Sequence, residues 1–156
     1  MDIVYDVANK DDIDELVRLR IAYTREDLGS LSGDDERMMR SELPGFFKIH
    51  LNQDTFSFVA RADGHIVAQV ILIAIFKPIS PKIPSGLCGE VLSVYTEPEY
   101  RGKGICSQLM KNMIDAGRQL GMCRITLAAT NDGYPVYKKA GFEDKVTKYK
   151  DMILNL

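Results

Sequence analysis

Residues 97–110, EPEYRGKGICSQLM, constrain this chain more than any other stretch. A strand-like run precedes them, a helix-like run follows, and Gly102 and Gly104 bracket a lysine in between. Glycine costs about 1 kcal/mol inside a helix relative to alanine, and it gains nothing just before one unless the backbone must come close to something. A helix N-terminus leaves about four N–H groups without partners and carries roughly half a positive charge. Set after a strand and a glycine turn, those amides make a site for an anion. Gly102 and Gly104 remove the Cβ atoms that would hold a phosphate away, and Arg101 and Lys103 add positive charge. An exposed lysine contributes about 1 kcal/mol or less, whereas each hydrogen bond to a charged group contributes about 1.5–3 kcal/mol. The amides should outweigh Lys103.

Two familiar phosphate loops fail here. A Walker loop needs Gly-Lys followed directly by Ser or Thr, and Lys103 is followed by Gly104. A dinucleotide fingerprint would have Ser107 as its third glycine. The acid it wants at the end of the next strand is replaced by Ala128-Ala129-Thr130.

Periodicity supplies the surroundings. Residues 3–8 read as a short strand. Asp11 or Asp12 caps a predicted helix over residues 13–25, with Ile13, Leu16 and Val17 on one face. After a loop at 28–33, a second helical region covers 34–50, interrupted at Pro44-Gly45. Residues 56–61 and 66–76 are β-branched and aromatic, and Asp63-Gly64 between them predicts a hairpin. Residues 77–86 carry Pro78, Pro81 and Pro84 and read as a loop. A strand follows at 87–96. Ile105, Leu109, Met113, Ala116 and Leu120 recur at helical spacing, so a helix spans 104–120 and Gly121 ends it. Then come a strand at 124–129, a short helix from Pro135 to Gly141, and a final strand at 148–154. This order predicts an α/β (α+β) mixed sheet with helices on its faces. With 156 residues and neither repeat nor linker, a single domain over residues 1–156 is expected.

A net charge of −2 and the lack of a basic stripe argue against nucleic acid as a partner. The longest apolar run, residues 66–76, contains Gln69 and is too short to cross a bilayer, so no membrane is expected. The acidic start MDIVYDVANKDD lacks the features of a signal peptide. Cys88, Cys106 and Cys123 show neither CxxC nor metal-like spacing, which points to reduced thiols in the cytoplasm and to no metal site.

VLSVYTEPEYRGKGICSQLM, together with PVYKKAGF at residues 135–142, resembles the GCN5-related N-acetyltransferase (GNAT) superfamily, in its bacterial small-molecule type. The family's acetyl-CoA signature is Arg or Gln, two residues, Gly, one residue, then Gly or Ala. Arg101 and Gly104 fit it, and Cys106 takes the last place and departs from it; a small cysteine should be accommodated. The resemblance implies a mixed, mostly antiparallel sheet of six to seven strands with about four helices. Two parallel strands, 87–96 and 124–129, would splay apart. Acetyl-CoA (coenzyme A) would lie in the gap, its pantetheine along Val94, Tyr95 and Thr96. Its pyrophosphate would sit on the amides of Arg101, Gly102, Lys103, Gly104, Ile105, Cys106 and Ser107. The family's cofactor-contacting asparagine falls by spacing at Thr130, with Asn131 one residue off.

Acetyl transfer to an amine needs a base for the ammonium, a donor for the oxyanion and a proton for the departing thiolate. Glu90 lies 11 residues before Arg101, where some family members place a catalytic glutamate, and is the candidate base. An unbroken strand would put Glu90, Leu92, Val94 and Thr96 on one face; the bulge common in this family would change that parity. The bland alternative for Glu90 is a surface ion pair. The backbone N–H of Val94 or Tyr95 is the expected oxyanion donor. Tyr137, in the family's Tyr-x-x-x-Gly-Phe segment, is the candidate acid, against the alternative of a packed tyrosine. Its phenol pKa near ~10 exceeds the ~8.5 of a thiol, so it would act by hydrogen bonding or concerted transfer. Cys106, at a helix start where a thiol pKa can fall, is read as packing. The acceptor wall is expected from residues 23–47 and 76–86. Tyr23, Phe46, Phe47, Ile79 and Ile83 would form it, with Glu26, Asp27, Asp34, Asp35 and Glu36 at its edge. A small-molecule amine with an apolar portion is the favoured acceptor. Protein or peptide N-terminal or lysine acetylation and a non-catalytic acetyl-CoA-binding module are the rival readings. Oligomeric state is open, with a homodimer as one option.

Overall fold

Asp63 and Gly64 take positive φ, 51° and 81°, which is the backbone a tight two-residue hairpin requires. Two long strands meet there, and the rest of the chain arranges itself on them. The computed structural model describes residues 2–156. Its strands are β1 (Ile3–Val7), β2 (Thr55–Ala62), β3 (His65–Phe76), β4 (Leu87–Thr96) and β5 (Arg124–Thr126). Its α-helices are α1 (Ile13–Leu28), α2 (Gly33–His50), α3 (Ile105–Gln119) and α4 (Tyr134–Ala140). The strands form one sheet in the order β1-β2-β3-β4-β5. β1 to β4 are antiparallel neighbours, and β5 runs parallel to β4.

Each sheet face buries its own cluster. Leu16, Val17, Leu19 and Ile21 of α1 and Phe47 of α2 pack on Val59, Ile66 and Ile71. On the other face Ile105, Leu109, Met110 and Met113 of α3 and Tyr137 of α4 pack on Ala60, Val70, Leu72 and Val91. Burying such side chains contributes about 1.5–3 kcal/mol each, which fixes both helical layers against the sheet.

Four expectations need correction. The sheet has five strands rather than six to seven. The strand expected over 124–129 stops at Thr126, and residues 148–154 join no strand. A strand exists only where its backbone groups pair with those of a neighbour. Pro44 does not interrupt α2, which runs through it. A helical proline forfeits one hydrogen bond and crowds the preceding turn, and here Met39, Leu43 and Phe47 anchor the helix to the α1 cluster on either side of it. Asp12 holds the N-cap position of α1, as expected, though without a side-chain cap hydrogen bond; Asn9 caps the preceding turn at Lys10–Asp12 in a reciprocal box with Asp12. The Asp12 carboxylate also pairs with Arg61 of β2, at 2.9 and 2.8 Å, and that guanidinium lowers its pKa.

Candidate functional site

The site grows from an irregularity in β4. Val70 faces both Ser93 and Val94, because the β3–β4 register steps from Ile71–Leu92 to Gln69–Tyr95. This is a β-bulge, and Ser93 accommodates it at a φ of 51°. Arg20 reaches across from α1 and donates to the Ser93 hydroxyl, bracing the bulge. Side-chain parity changes there. Leu92 and Tyr95 belong to the α1 side, whereas Val91 and Val94 belong to the α3 side.

β4 and β5 pair only at Cys88–Arg124, Gly89–Ile125 and Glu90–Thr126, while β4 continues to Thr96. The two strands therefore separate beyond Glu90. Into that gap opens a cleft of about 530 Å³, lined by β4 beyond the bulge, the start of α3 and the face of α4.

The floor of one end is the turn before α3. Gly102 and Gly104 take φ of 74° and 79°, and a Cβ on either would point into open space within the cleft. Gly104 caps α3 without any side-chain hydrogen bond. The chain bonds the amides of Arg101, to Pro98, and of Gln108, to Gly104, but among the described residues no acceptor is bonded to those of residues 102–107. A run of free amides at a helix start, with no Cβ to shield it, fits a phosphate-bearing ligand. Arg101 stands beside them. Its Nε donates to the Thr96 carbonyl at 2.8 Å and its Nη2 to Glu26 at 2.7 Å. The Glu26 hydrogen bond raises the Arg101 pKa further.

At the other end Tyr137 is 7% exposed, with its ring edge-on to Phe142 at 6.2 Å. Burial pushes its phenol up to about 12, with smaller contributions from Cys106 and Tyr23, so it is a neutral donor at physiological pH. Burial likewise raises the Cys106 thiol; it is not an activated nucleophile despite its place at a helix start. Gly133 makes room for Tyr137, since a Cβ there would lie 2.7 Å from the tyrosine ring.

Of the residues singled out in the sequence, Val94, Tyr95, Thr96, Arg101, Gly102, Gly104, Ile105, Cys106, Ser107, Thr130 and Tyr137 line this cleft together. Lys103, Asn131 and Glu90 lie outside its lining. Lys103 sits over the Tyr100 ring at 5.5 Å. Glu90 is exposed where the strands part. Tyr23, Glu26 and Asp27 of the expected acceptor wall also line it. Phe47 does not, being sealed in the core. Asp34 and Glu36 are engaged by Arg37 and Arg25. Sequence reasoning missed Tyr100, Asp132, Gly133 and Val136 in the lining, along with the Arg20 brace. The glycine before Tyr134-Pro135 was the one local signal available for Gly133.

Residues 14–142 match the acetyltransferase (GNAT) family. The chain belongs to that family. It is an acetyltransferase by this membership, with the family's α/β fold. A glucosamine 6-phosphate N-acetyltransferase of Trypanosoma brucei brucei is 29% identical over 87 residues, 54% of this chain and 56% of that protein. The matched region thus spans little more than half of that relative. A predicted acetyltransferase from Clostridium acetobutylicum, solved with acetyl-CoA, is 27% identical, with a TM-score of 0.83 over 97% of this chain and 96% of that one. Glucosamine-6-phosphate N-acetyltransferase from Arabidopsis thaliana shares the fold, at 17% identity and a TM-score of 0.70 over 97% and 99% of the two chains. Among the described residues no helix is long and apolar enough to cross a membrane.

Proposed function

We propose that this chain moves the acetyl group of acetyl-CoA directly to a primary amine of a small molecule. One observation carries the reading. Free amides at residues 102–107 open onto the same cleft as a buried, neutral tyrosine hydroxyl, and that cleft lies between strands that have ceased to pair. An anion grip and a proton donor in one groove suit a phosphate-bearing acyl thioester. The Clostridium structure, solved with acetyl-CoA, supports that choice of donor.

Acetyl-CoA supplies the thioester whose carbonyl the amine attacks. The amides of residues 102–107 hold its diphosphate, with Arg101 adding charge at the rim. Val94, Tyr95 and Thr96 flank the pantetheine, and Thr130 lines the opposite wall. The backbone N–H of Val94 or Tyr95, just past the bulge, serves as the oxyanion donor. Glu90 takes a proton from the acceptor ammonium, which frees the nitrogen lone pair. Its place at the strand separation, on the Leu92 side, supports this role. The Tyr137 hydroxyl gives a hydrogen bond or proton to the departing sulfur; a neutral phenol can do so without prior titration.

Asp27 and Asp132 carry carboxylates in the cleft lining, which also includes Tyr23 and Val94, while Glu26 there is paired with Arg101. Acid next to apolar surface suits a cation with a carbon framework. The small aminosugar phosphate that names the Trypanosoma relative is in keeping with such an acceptor. The test is thiol release from acetyl-CoA across a panel of small amines and peptide amines, repeated with Glu90→Gln and Tyr137→Phe. We expect small amines to be preferred and both variants to turn over at least tenfold more slowly at neutral pH and saturating amine. Equal rates in wild type and both variants would remove the assigned roles. Preference for peptides would replace the acceptor, and no release with any amine would leave a binding module.

A further inference from the structure

Two thiols outside the cleft lining stand close together. Cys88, near the start of β4, and Cys123, just before β5, have their sulfurs 4.0 Å apart. Packing brings them together, since 35 positions separate them in the chain. Gly89 has no side chain, and a Cβ there would lie 2.8 Å from the Met122 sulfur and 3.2 Å from Ile125. Residues 122–125 therefore press against β4. The Cys123 amide donates to the Leu87 carbonyl at 2.9 Å, and Cys88 pairs with Arg124 in the register. The two backbones are thus already fixed side by side. A disulfide is about 2.05 Å long, so the sulfurs need about 2 Å of approach. The surroundings of the two thiols differ. Cys88 is 4% exposed, and burial raises its pKa, with Cys123 adding to the rise. Cys123 is exposed. Hydrogen bonding from the Ser85 side chain, more than from its main chain, lowers the Cys123 pKa. An accessible sulfur with thiolate character beside a shielded one is the arrangement in which the first thiol meets an oxidant and the second resolves it.

We propose that Cys88 and Cys123 are a modification site, a dithiol that hydroperoxide converts to a reversible disulfide stapling β5 to β4. The Cys123 thiolate attacks one peroxide oxygen and the O–O bond breaks. The departing hydroxide takes up the proton that the thiol had released, and Cys123 is left as a sulfenic acid. The Cys88 sulfur then attacks the Cys123 sulfur. The S–O bond breaks, and the hydroxide leaves as water with the Cys88 proton. Two thiols are oxidised to one disulfide while one peroxide is reduced to two waters. Excess small thiol restores the pair by exchange. β5 pairs with β4 at three positions, of which Cys88–Arg124 is the first and Glu90–Thr126 the last before the strands part. The new bond closes the far end of that short ladder and so fixes the root of the cleft wall. Cys106 takes no part, because it lies half-buried in the cleft lining with its thiol pushed up by burial.

The test treats the fully reduced chain with a small molar excess of hydrogen peroxide, blocks the remaining thiols in denaturant and maps the tryptic peptides. Cys88, Cys106 and Cys123 fall in separate peptides, 83–101, 104–111 and 119–124. Peptides 83–101 and 119–124 should be found joined, and released again by dithiothreitol, with Cys106 blocked as a free thiol. In Cys88→Ser, oxidation should stop at a sulfenic acid on Cys123 that a 1,3-diketone captures. In Cys123→Ser, Cys88 should stay reduced at the same dose. The disulfide-bonded wild type should melt about 4–16 °C above the reduced one, the span expected for closing a loop of this length in a chain of this size. Three free thiols after peroxide overturn the proposal. So does a disulfide that includes Cys106 or joins two chains, or Cys88 oxidised as fast in Cys123→Ser as in wild type. An unchanged melting temperature in the bonded chain removes the staple. The wild-type peptide map decides the linkage even if a variant fails to fold.

Discussion

Replacing Gly104 by valine tests the anion grip most directly. Gly104 has a φ of 79°, a conformation that costs a residue with a Cβ about 1–3 kcal/mol. The new side chain would also project into the cleft beside the free amides. Displacing a diphosphate from two of those amides forfeits about 3–6 kcal/mol at 1.5–3 per charged hydrogen bond, a loss of about two to four orders of magnitude in affinity. Lys103 is exposed, so Lys103→Ala should lose no more than about fivefold, the equivalent of 1 kcal/mol. A control for strain lies at the far end of α3. Gly121 has a φ of 83° and equally open surroundings, so Gly121→Val should carry similar strain and leave binding alone. The assay is isothermal calorimetry with coenzyme A at fixed salt, with thermal melts on the same samples. Comparable affinity losses in Gly104→Val and Lys103→Ala, or in Gly104→Val and Gly121→Val, would refute the argument.

Gly133→Ala would put a Cβ 2.7 Å from the Tyr137 ring. It should cost about 1–3 kcal/mol in urea unfolding and lower kcat by displacing the phenol. Tyr137 also links stability to alkaline pH. Its folded pKa is raised from 10.0 to about 12, so the folded state binds more protons than the unfolded state between those values. That contribution, about 2–3 kcal/mol from two units of pKa, is whole below pH 10 and is lost as pH rises toward 12. Denaturation curves of wild type and Tyr137→Phe should converge or diverge accordingly over that window, and parallel curves would count against it. Asp12 behaves oppositely. Its pKa is lowered by the Arg61 hydrogen bond, so its contribution is present above the ordinary value of 3.8 and fades as pH falls through the lower folded value. Asp12→Asn should destabilise by about 1–3 kcal/mol at pH 7 and flatten the acid limb of the stability profile.

Much of the site was legible because it is written in local backbone rules. Gly102 and Gly104 announce a positive-φ turn ahead of a helix, and both have that conformation. Asp63-Gly64 announced the hairpin, and β4 has the bounds its composition predicted, Leu87–Thr96. These features depend on neighbours a few residues away, where φ preferences and side-chain alternation act directly.

What tertiary structure decided are meetings between distant parts of the chain. Nothing near Ser93 in sequence calls for a bulge; Arg20 from α1 reaches across to bond Ser93 there, and the register shift at the bulge sets which β4 side chains face the cleft. Glu26 finds Arg101 across 75 positions, and the Tyr137 phenol is pushed up by burial that several elements create together. Residues 148–154 make the same point in reverse. The sequence reads them as a strand, but a strand needs a pairing partner, and in the described chain they have none. Propensity is local and additive, whereas pairing, burial and charge contact exist only once the fold has chosen which surfaces meet.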